Sequence, residues 1–307
     1  MKEAQHKYLM FMGIILQIVL VYPIFLFIWR FIIRKILHPN PIRKYHKKDA
    51  YAIVTGASEG IGRAYAERLA KEGFNLILIA RRKELLEEIK QELESTYKVD
   101  VIILCYDMCK MTEEQWKTIE DLMIEKNVTA LFNNVGMSAG GYFHTVPLSR
   151  MNSLITLNIE VMLKMTHMFI NHTKETQKNL IVFLSSMTCT ANGAGLSLYA
   201  SSKAFIKQFG KSISYEYKHI DCTVFTPWHI STEMIGQLQP SIGICTPKQF
   251  ADSCFIHVGL TNEIDPYIPH YLQDWGYKTL SEKAKDRGSL AEVGVFQTSK
   301  QEKGIKA

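Results

Sequence analysis

Six short apolar runs alternate with segments of helical periodicity from residue 50 onward. The runs lie at Ala50–Val54, Phe74–Ala80, Val99–Tyr106, Thr129–Phe132, Leu180–Leu184 and Cys222–Thr226. Between them, apolar residues recur at helical spacing over Gly62–Glu72, Lys83–Ser95, Glu113–Lys126, Leu148–Thr173 and Leu198–Lys218. Mainly apolar strands that alternate with helices are typical of a parallel sheet covered on both faces. The pattern predicts an α/β fold with a doubly wound parallel sheet, in which ligands bind at the carboxyl ends of the strands.

An uncharged apolar segment precedes this alternation and runs from Tyr8 to Trp29. A helix of roughly 20 such residues is long enough to cross a bilayer. A cleaved signal peptide is the alternative interpretation, but the segment is long for one and has no small-x-small cleavage site. We therefore predict that residues 1–37 form an N-terminal transmembrane helix that anchors the protein in membrane lipid.

Basic side chains cluster directly after the uncharged segment. They are Arg30, Arg34, Lys35, Arg43, Lys44, Lys47 and Lys48. Because Lys and Arg are enriched on the cytoplasmic side of membrane helices, the cluster predicts that the body of the protein faces the cytosol. The expected organisation is an anchor over residues 1–37, a basic linker over 38–49, a folded domain over 50–272 and a polar, disordered tail over 273–307.

Composition narrows the class of protein. The chain has 307 residues and a formal net charge of +6, but no basic run interleaved with aromatic residues in its body, so we expect no nucleic-acid partner. Its six cysteines form no Cys-x-x-Cys pair and no cluster with zinc-ligand spacing, so we expect no metal site. Reduced thiols are expected in a cytosol-facing domain, with a single buried disulfide left open.

A glycine-rich turn joins the first apolar run to the first helix of the body. It contains Gly56, Ser58, Glu59, Gly60, Ile61 and Gly62. Glycines let the backbone approach a ligand closely, and the N–H groups at a helix N-terminus attract anions. The turn therefore predicts a cradle for the phosphates of a nucleotide, with a turn that serves only packing as the alternative.

The ends of the next two runs indicate which nucleotide. Arg81 and Arg82 follow the second run, where an NAD site usually has an acid, and Arg63 stands at the helix start. Arginine suits a 2′-phosphate, so the pattern favours NADPH/NADP+ as cofactor, the alternative being solvated arginines. Asp107, which follows the third run, is a candidate partner for the adenine ring.

A candidate catalytic group lies farther along the chain. Ser186 ends the fifth run, and Tyr199 precedes Lys203 by four residues at the start of a helix. This spacing places the phenol and the ammonium on one helix face. A nearby positive charge lowers the pKa of a tyrosine, so we expect a phenol prepared for proton transfer.

These motifs together resemble the classical short-chain dehydrogenases/reductases. The resemblance covers about residues 50–260 and rests on Thr55-Gly56-x-x-x-Gly60-Ile61-Gly62, Asn133-Asn134-x-Gly136, Asn158, Ser186, Tyr199-x-x-x-Lys203 and Pro227 with Thr232. The chain is most similar to the membrane-bound branch of 17β-hydroxysteroid dehydrogenase types 3 and 12 and very-long-chain 3-oxoacyl-CoA reductases, because Val135, the helix start at Arg63 and the anchor agree with that branch.

The resemblance implies a Rossmann-like sheet and a role for each matching residue. Tyr199 would protonate the substrate oxygen, Ser186 would hydrogen-bond it, Lys203 would hold the nicotinamide ribose, and Asn158 would position a water for proton relay. The implied cofactor contacts are Gly56, Ser58, Glu59, Gly60, Ile61, Gly62, Arg81, Asp107, Asn134, Tyr199, Lys203, Ile230 and Thr232. Residues 230–246, here called the lid segment, would cover the substrate.

The resemblance also implies an activity and a location. The expected reaction is NADPH-dependent reduction of a ketone on a lipid-like substrate at the endoplasmic reticulum membrane. A 3-oxoacyl-CoA of very-long-chain fatty-acid elongation is favoured, and a 17-ketosteroid is the second candidate. An inactive nucleotide-binding scaffold and an NAD-dependent oxidising dehydrogenase are further alternatives. A homodimer is expected by analogy with the family. Relatives carry a long hydrophobic segment after the last strand, which this chain replaces with a short one broken by prolines.

Overall fold

The computed structural model describes residues 2–190 and 194–280. It divides the chain into two units, Met1–Pro41 and Ile42–Ala307. The first unit is helical, with α1 over Lys2–Ile28, a π-helical turn over Trp29–Ile33 and α2 over Arg34–Leu37. Pro39 and Pro41 follow α2, and neither residue can continue a helix.

The helical first unit has the length and composition of a membrane span. Within the described residues, the stretch Glu3–Leu37 alone meets those criteria, with a mean hydropathy of 2.5 and no part of its most apolar window buried. A core helix of a soluble protein would be mostly buried, so that alternative does not fit. The prediction of an N-terminal apolar helix is confirmed as a candidate span.

The second unit is built on a seven-stranded parallel sheet. Its strands are β1 Ala50–Thr55, β2 Asn75–Ala80, β3 Val101–Cys105, β4 Asn127–Asn133, β5 Asn179–Leu184, β6 Ile220–Phe225 and β7 Glu263–Ile264. They are ordered β3-β2-β1-β4-β5-β6-β7, and every neighbouring pair is parallel. The first six strands match the six predicted apolar runs. β7 was missed because it has only two residues and no apolar run.

Eight α-helices accompany the strands within the described part of the second unit. They are α3 Gly60–Lys71, α4 Lys83–Tyr97, α5 Glu113–Glu125, α6 Leu148–Ile155, α7 Val161–His172, α8 Ser197–Glu216 and α9 Pro247–Cys254, and α10 Ile268–Thr279 follows β7. The predicted continuous helix over Leu148–Thr173 is interrupted by a π-helical turn at Thr156–Glu160. Helices cover both faces of the sheet, as predicted.

The strand residues that pack under α5, α7 and α8 show how the sheet is buried. Ile53, Ile77 and Ile181 belong to one apolar cluster with Ile119 and Met165 from the helices. Ala52 and Leu76, which alternate with them, are also buried, so the opposite face of the sheet is covered too. Burial of the strands on both faces accounts for the mainly apolar composition of the six predicted runs.

The strand order creates a switch point between β1 and β4. From β1, the chain builds outward through β2 and β3, and then returns to the other side of β1 with β4. Loops that follow β1 and β4 therefore diverge and leave a crevice at the carboxyl ends of the strands. The glycine turn follows β1 and Asn134 follows β4, so the fold brings two predicted cofactor elements to one place.

Part of the predicted linker over residues 38–49 is packed into the second unit. Ile42 and Tyr45 are fully buried, and the Tyr45 hydroxyl donates a hydrogen bond of 2.8 Å to Asp221. Lys44 forms an ion pair of 2.6 Å with the same carboxylate. The sequence suggested a linker because many basic residues surround the two apolar side chains that the structure buries.

The C-terminal boundary also differs from the prediction. α10 runs to Thr279 and so crosses the expected end of the domain at residue 272. Residues 281–307 of the predicted tail lie outside the described residues. All six cysteines fall within the described part, and all are free thiols, so the open question of a disulfide is answered in favour of reduced cysteines.

Candidate active site

The glycine turn after β1 is a cradle that side chains would fill. A Cβ atom on Gly62 would overlap the Gly56 carbonyl oxygen and lie 2.7 Å from the Asn134 amide nitrogen. Gly56 has a φ of +67°, a conformation that other residues rarely adopt. Glu59, at the N-cap of α3, makes no side-chain cap to the helix. The helix N-terminus is thus uncapped by that residue and faces the crevice, as an anion site requires.

Asn134 fixes the turn in place from the neighbouring strand. Its side-chain amide donates to the carbonyl oxygens of Thr55, at 2.8 Å, and Gly56, at 3.3 Å. The Thr55 hydroxyl in return accepts from the backbone N–H groups of Asn134 and Val135, each at 3.0 Å. The predicted cofactor residue Asn134 therefore also holds together the two loops of the switch point.

Of the predicted basic residues, Arg82 is the one that touches the cradle. Its guanidinium lies 2.5 Å from Glu59 and 3.5 Å from the Ser58 hydroxyl, and it reaches Glu233 of the lid segment at 3.7 Å. Arg81 lines the same cleft. Arg63 lines an adjoining pocket with Gly60 and Arg82 rather than that cleft. Its guanidinium is paired with three carboxylates, those of Glu67, Glu88 and Glu92.

Ser186, Tyr199 and Lys203 lie together in the cleft. Ser186 caps a 3-10 turn over Met187–Cys189 that follows β5, and it hydrogen-bonds the Tyr199 phenol. The Lys203 ammonium lies 5.6 Å from the centre of the Tyr199 ring and donates to the Leu184 carbonyl at 2.8 Å. The end of β5 and the first turns of α8 thus bring the predicted catalytic residues into one group.

Burial, rather than the lysine charge, decides the tyrosine pKa. Burial raises the pKa of Tyr199 to about 12, against the hydrogen bond from Ser186, which lowers it. Burial also lowers the pKa of Lys203 to about 8. The pKa of Tyr199 therefore lies above its ordinary value rather than below it, and Lys203 is not among the causes of the shift. The phenol is protonated at neutral pH, as a proton donor must be.

The low pKa of Lys203 predicts that this residue costs stability. Unfolded lysine titrates near 10.5, so the penalty for its buried charge is fully present below about pH 8 and vanishes as the pH rises to 10.5. The shift corresponds to about 3 kcal/mol, of which a lost hydrogen bond would offset about 1–2 kcal/mol. We expect Lys203→Met to raise the free energy of unfolding at pH 7 by about 1–2 kcal/mol, measured by thermal unfolding of the cofactor-free protein.

Lys207→Met is the matched control for that measurement. Burial lowers the pKa of Lys207, but its hydrogen bond to Glu263, at 2.6 Å, raises it above the ordinary value. Removing that ammonium leaves the partner carboxylate without its nearest cation, so we expect lower stability at pH 7. A Lys203→Met protein that loses as much stability as Lys207→Met would contradict the prediction.

Asn158 lies behind the cleft rather than in its wall. It sits in the π-helical turn, is fully buried, and both accepts from and donates to the Met137 backbone, at 2.8 and 3.0 Å. Its amide also donates to the Ser202 hydroxyl at 2.9 Å, and that hydroxyl donates to the Tyr199 carbonyl. These contacts tie the loop after β4 to the catalytic helix. The proposed water relay stays a prediction.

The remaining predicted contacts line one cleft of about 560 Å³. Asp107 is held by the backbone N–H of Cys109 at 3.2 Å, and Thr232 lies against Gly60. Ile230 is buried and pairs with Cys245. Of the predicted site residues, the cleft wall includes Gly56, Ser58, Glu59, Gly60, Ile61, Arg81, Asp107, Asn134, Ser186, Tyr199, Lys203, Ile230 and Thr232. Gly62 and Asn158 support it from behind.

Several cleft residues were not predicted as site residues. Arg82 was noted in the sequence beside Arg81, but only the structure distinguishes their contacts. Met137, Leu157 and Trp228 line the cleft. Their apolar side chains carry no motif, because lining residues come from separate loops and a sequence pattern does not bring them together. Met234 and Ile235 of the lid segment, whose apolar side chains suit a lipid-like substrate, line the cleft too.

The comparison with protein families now decides the class. The family model for short chain dehydrogenases matches residues 50–242, which include the glycine turn, the catalytic group and most of the lid segment. The chain is a short-chain dehydrogenase. As members of that family, such proteins are oxidoreductases, so the predicted enzyme class is confirmed.

Curated relatives of this short-chain dehydrogenase include 3-oxoacyl-CoA reductases and hydroxysteroid dehydrogenases. It is 31% identical over 231 residues to very-long-chain 3-oxoacyl-CoA reductase-B of Danio rerio, covering 73% of this chain and 74% of that protein. It is 33% identical over 227 residues to 17-beta-hydroxysteroid dehydrogenase type 3 of Homo sapiens, covering 72% of each. These are the two groups that the sequence motifs resemble.

A solved relative supports the assignment of the cofactor. The short-chain dehydrogenase from Sphingobium yanoikuyae in complex with NADPH superimposes with a TM-score of 0.63 at 26% identity, covering 68% of this chain and 84% of that one. In the present short-chain dehydrogenase, a turn with three glycines, an uncapped helix N-terminus and Arg82 beside the turn fit a phosphate-rich dinucleotide. The residues therefore fit NADP(H).

Proposed function

We propose that this protein reduces a ketone on a lipid-like substrate to an alcohol with NADPH. The observation that carries the proposal is the hydrogen-bonded pair of Ser186 and Tyr199, with Lys203 beside it, in the same cleft as the glycine turn. When bound, NADPH supplies the hydride that the carbonyl carbon receives. The phosphates would rest on the Gly56–Gly62 turn, and Arg81 and Arg82 would hold the 2′-phosphate.

The chain's own residues supply the proton and the charge stabilisation. The Ser186 and Tyr199 hydroxyls are placed to donate hydrogen bonds to one carbonyl oxygen, whose negative charge grows as the ketone is reduced. Tyr199 then transfers its proton to that oxygen. The Lys203 ammonium, 5.6 Å from the ring centre, stabilises the phenolate that remains.

The cofactor cradle supports reduction over the alternative of an NAD-dependent oxidising dehydrogenase. Arg82 lies on the cradle, and a 2′-phosphate is what distinguishes NADPH from NADH. Tyr199 serves either direction, because the group that donates a proton in reduction accepts it in oxidation.

The preference for NADPH predicts a specific effect of Arg82→Gln. We expect Kd for NADPH to rise about 10- to 100-fold, as the loss of a charge-assisted hydrogen bond implies, and Kd for NADH to change little. Isothermal titration with both cofactors measures this. Lys83→Gln is the control, because Lys83 is the next residue but pairs with Glu87 on α4. An equal rise for both cofactors would remove the role given to Arg82.

The substrate class is the finer part of the proposal. A 3-oxoacyl-CoA of very-long-chain fatty-acid elongation comes first, supported by the similarity to the reductase of Danio rerio, and a 17-ketosteroid comes second, supported by the human dehydrogenase. The test is NADPH oxidation by the purified full-length protein with a 3-oxoacyl-CoA and with androstenedione. Turnover of the steroid alone would reverse the order.

Membrane location belongs to the same proposal. The helix over Glu3–Leu37 would anchor the protein in the endoplasmic reticulum membrane, and the basic cluster after it would keep the second unit in the cytosol. Protease protection of sealed microsomes tests the orientation. Digestion of the second unit without detergent is the expected result, and its protection would place the catalytic domain in the lumen.

A homodimer is proposed by analogy with the family. Large apolar side chains are exposed on α6 and α8, among them Leu148, Phe205 and Tyr215. Such side chains support an interface between two copies. Sedimentation of the detergent-solubilised protein measures its mass, and a monomer at micromolar concentration would contradict this assignment.

A further inference from the structure

The outward face of α10 carries large apolar side chains. Ile268, Leu272 and Trp275 recur at spacings of four and three residues, so they lie on one side of the helix. Their exposed fractions are 41%, 51% and 57%. A soluble surface helix normally presents polar residues on its outer face. α10 therefore has a solvent-facing stripe that its own packing does not require.

The inward face of α10 is occupied by contacts with the core and the cleft. His270 is fully buried, with Cys245 at 4.0 Å and Asp265 at 3.7 Å. Tyr277 packs edge-on against Trp228, which lines the cleft, with their ring centres 5.9 Å apart. The helix is thus fixed beside the cleft by one face, and its apolar outer stripe is left pointing away from the protein.

The lid segment, which contacts α10, adds two exposed apolar side chains to this stripe. Gln273 lies so close to Gly243 that a Cβ atom on the glycine would approach its amide nitrogen at 2.5 Å. Ile242, which precedes Gly243 in the lid segment, is 84% exposed, and Leu238 is exposed as well. We call the set of five side chains the C-terminal apolar patch. It consists of Leu238, Ile242, Ile268, Leu272 and Trp275.

We propose that the C-terminal apolar patch docks on the surface of a lipid bilayer. The second unit would then contact the membrane at the mouth of its cleft, independently of the N-terminal helix. Aliphatic side chains together with a tryptophan are the composition that partitions into the headgroup boundary of a bilayer. The candidate span over Glu3–Leu37 supplies the bilayer, because it brings the same molecule to a membrane.

The size of the patch argues against a second copy of the chain as its occupant. A stable protein interface takes roughly 20–30 residues from each partner. The patch has five large apolar side chains. Shallow insertion into a lipid surface needs no complementary partner surface, so a small patch on one amphipathic helix suffices for it.

Membrane docking would give a bilayer-dissolved ketone a short path to Tyr199. Met234 of the lid segment and Trp228 both line the cleft, and both adjoin elements that carry the patch. This consequence rests on the proposed function, whereas the docking itself does not. The first experiment below therefore measures contact with lipid and requires no turnover.

Quenching by brominated lipid tests the contact directly. The full-length protein is reconstituted into vesicles of phosphatidylcholine with brominated acyl chains, in a Trp29→Phe background that removes the tryptophan of the N-terminal helix. We expect quenching that falls with Trp275→Phe and persists with Trp116→Phe, because Trp116 is buried under α7. Equal quenching with and without Trp275 would overturn the proposal.

A photo-cross-linking amino acid in place of Leu272 identifies the occupant in the same vesicles. An adduct with phospholipid supports docking. An adduct with a second copy of the chain, an adduct within residues 281–307 of the same chain, or no adduct would each overturn it. Mass spectrometry distinguishes these results.

A kinetic comparison then tests the consequence for the substrate. We expect Leu272→Glu combined with Trp275→Glu to raise KM for a bilayer-dissolved ketone about tenfold and to leave kcat and the KM of a water-soluble ketone unchanged. Ile124→Glu is the control, since Ile124 is 60% exposed on α5, outside the patch. Equal changes with both ketones would overturn delivery from the membrane, and inactivity of every variant and the wild type would instead reject the proposed function.

Discussion

Tyr199→Phe should lower kcat/KM for ketone reduction about 10²- to 10⁴-fold, the usual contribution of a positioned general acid. Phenylalanine keeps the ring that packs beside Lys203 and removes only the hydroxyl that donates the proton. The Ser186 hydroxyl would remain to stabilise charge on the substrate oxygen, so some activity should persist. The measurement is NADPH oxidation with the better of the two proposed substrates.

Measurement of cofactor binding distinguishes the loss of the catalytic hydroxyl from a folding defect. Kd for NADPH should change little in Tyr199→Phe, since the phosphate cradle and Arg82 lie at the other end of the cleft. Tyr142→Phe, at a tyrosine outside the cleft wall, should keep full activity. If Tyr199→Phe retained wild-type turnover, the catalytic assignment would fail, and the alternative of a nucleotide-binding scaffold with unrelated activity would gain support.

The pH profile should follow from the two pKa values in the same group. Reduction needs Tyr199 protonated and is favoured by a charged Lys203, whose pKa is about 8. We therefore expect kcat/KM for reduction to be level below pH 7 and to fall as the pH rises through 8, with Tyr199 still protonated there. The expected pH dependence belongs to Tyr199 and Lys203 together, because the two side chains form one buried group.

Much of the fold was predictable because burial leaves a direct trace in the sequence. A strand that is covered on both faces is mainly apolar, and six of the seven strands show that pattern. β7 is two residues long and pairs only at the sheet edge, so it leaves no such trace. Likewise, Ile42 and Tyr45 are fully buried, yet the surrounding charges make their segment read as a linker.

The order of the site residues was predictable, whereas their energetics was not. Parallel strands put Gly56, Asn134 and Ser186 at the same edge of the sheet once the strands are assigned. The helical spacing of Tyr199 and Lys203 predicts that they are neighbours. Their pKa values depend on how deeply the surrounding loops bury them, and those loops come from separate parts of the sequence.

The hydrogen bonds of Asn158 were likewise not predictable from the sequence. The sequence suggested a catalytic asparagine or a structural one. In the structure its amide links the Met137 backbone to Ser202 through a π-helical turn that no helical periodicity predicts. π-helical turns often occur at functional sites.

Gly62→Ala should abolish NADPH binding with only one added methyl group. The new Cβ atom would overlap the Gly56 carbonyl oxygen and lie 2.7 Å from the Asn134 amide nitrogen. Neither neighbour can move freely, because Asn134 also bonds the Thr55 carbonyl at 2.8 Å and so fixes both loops of the switch point. Forcing them apart should lower the free energy of unfolding by about 1–3 kcal/mol, the usual cost of overpacking.

Gly276→Ala is the matched control, since a Cβ atom at that position of α10 meets no atom within 4 Å. An alanine inside a helix is more favourable than glycine by about 1 kcal/mol, so this variant should bind NADPH normally and unfold no earlier than the wild type. Thermal unfolding with and without NADPH measures both effects. We expect the cofactor to raise the unfolding temperature of the wild type and of Gly276→Ala, and to leave that of Gly62→Ala unchanged. Stabilisation of Gly62→Ala by NADPH to the wild-type extent would show that the phosphates do not rest on this turn.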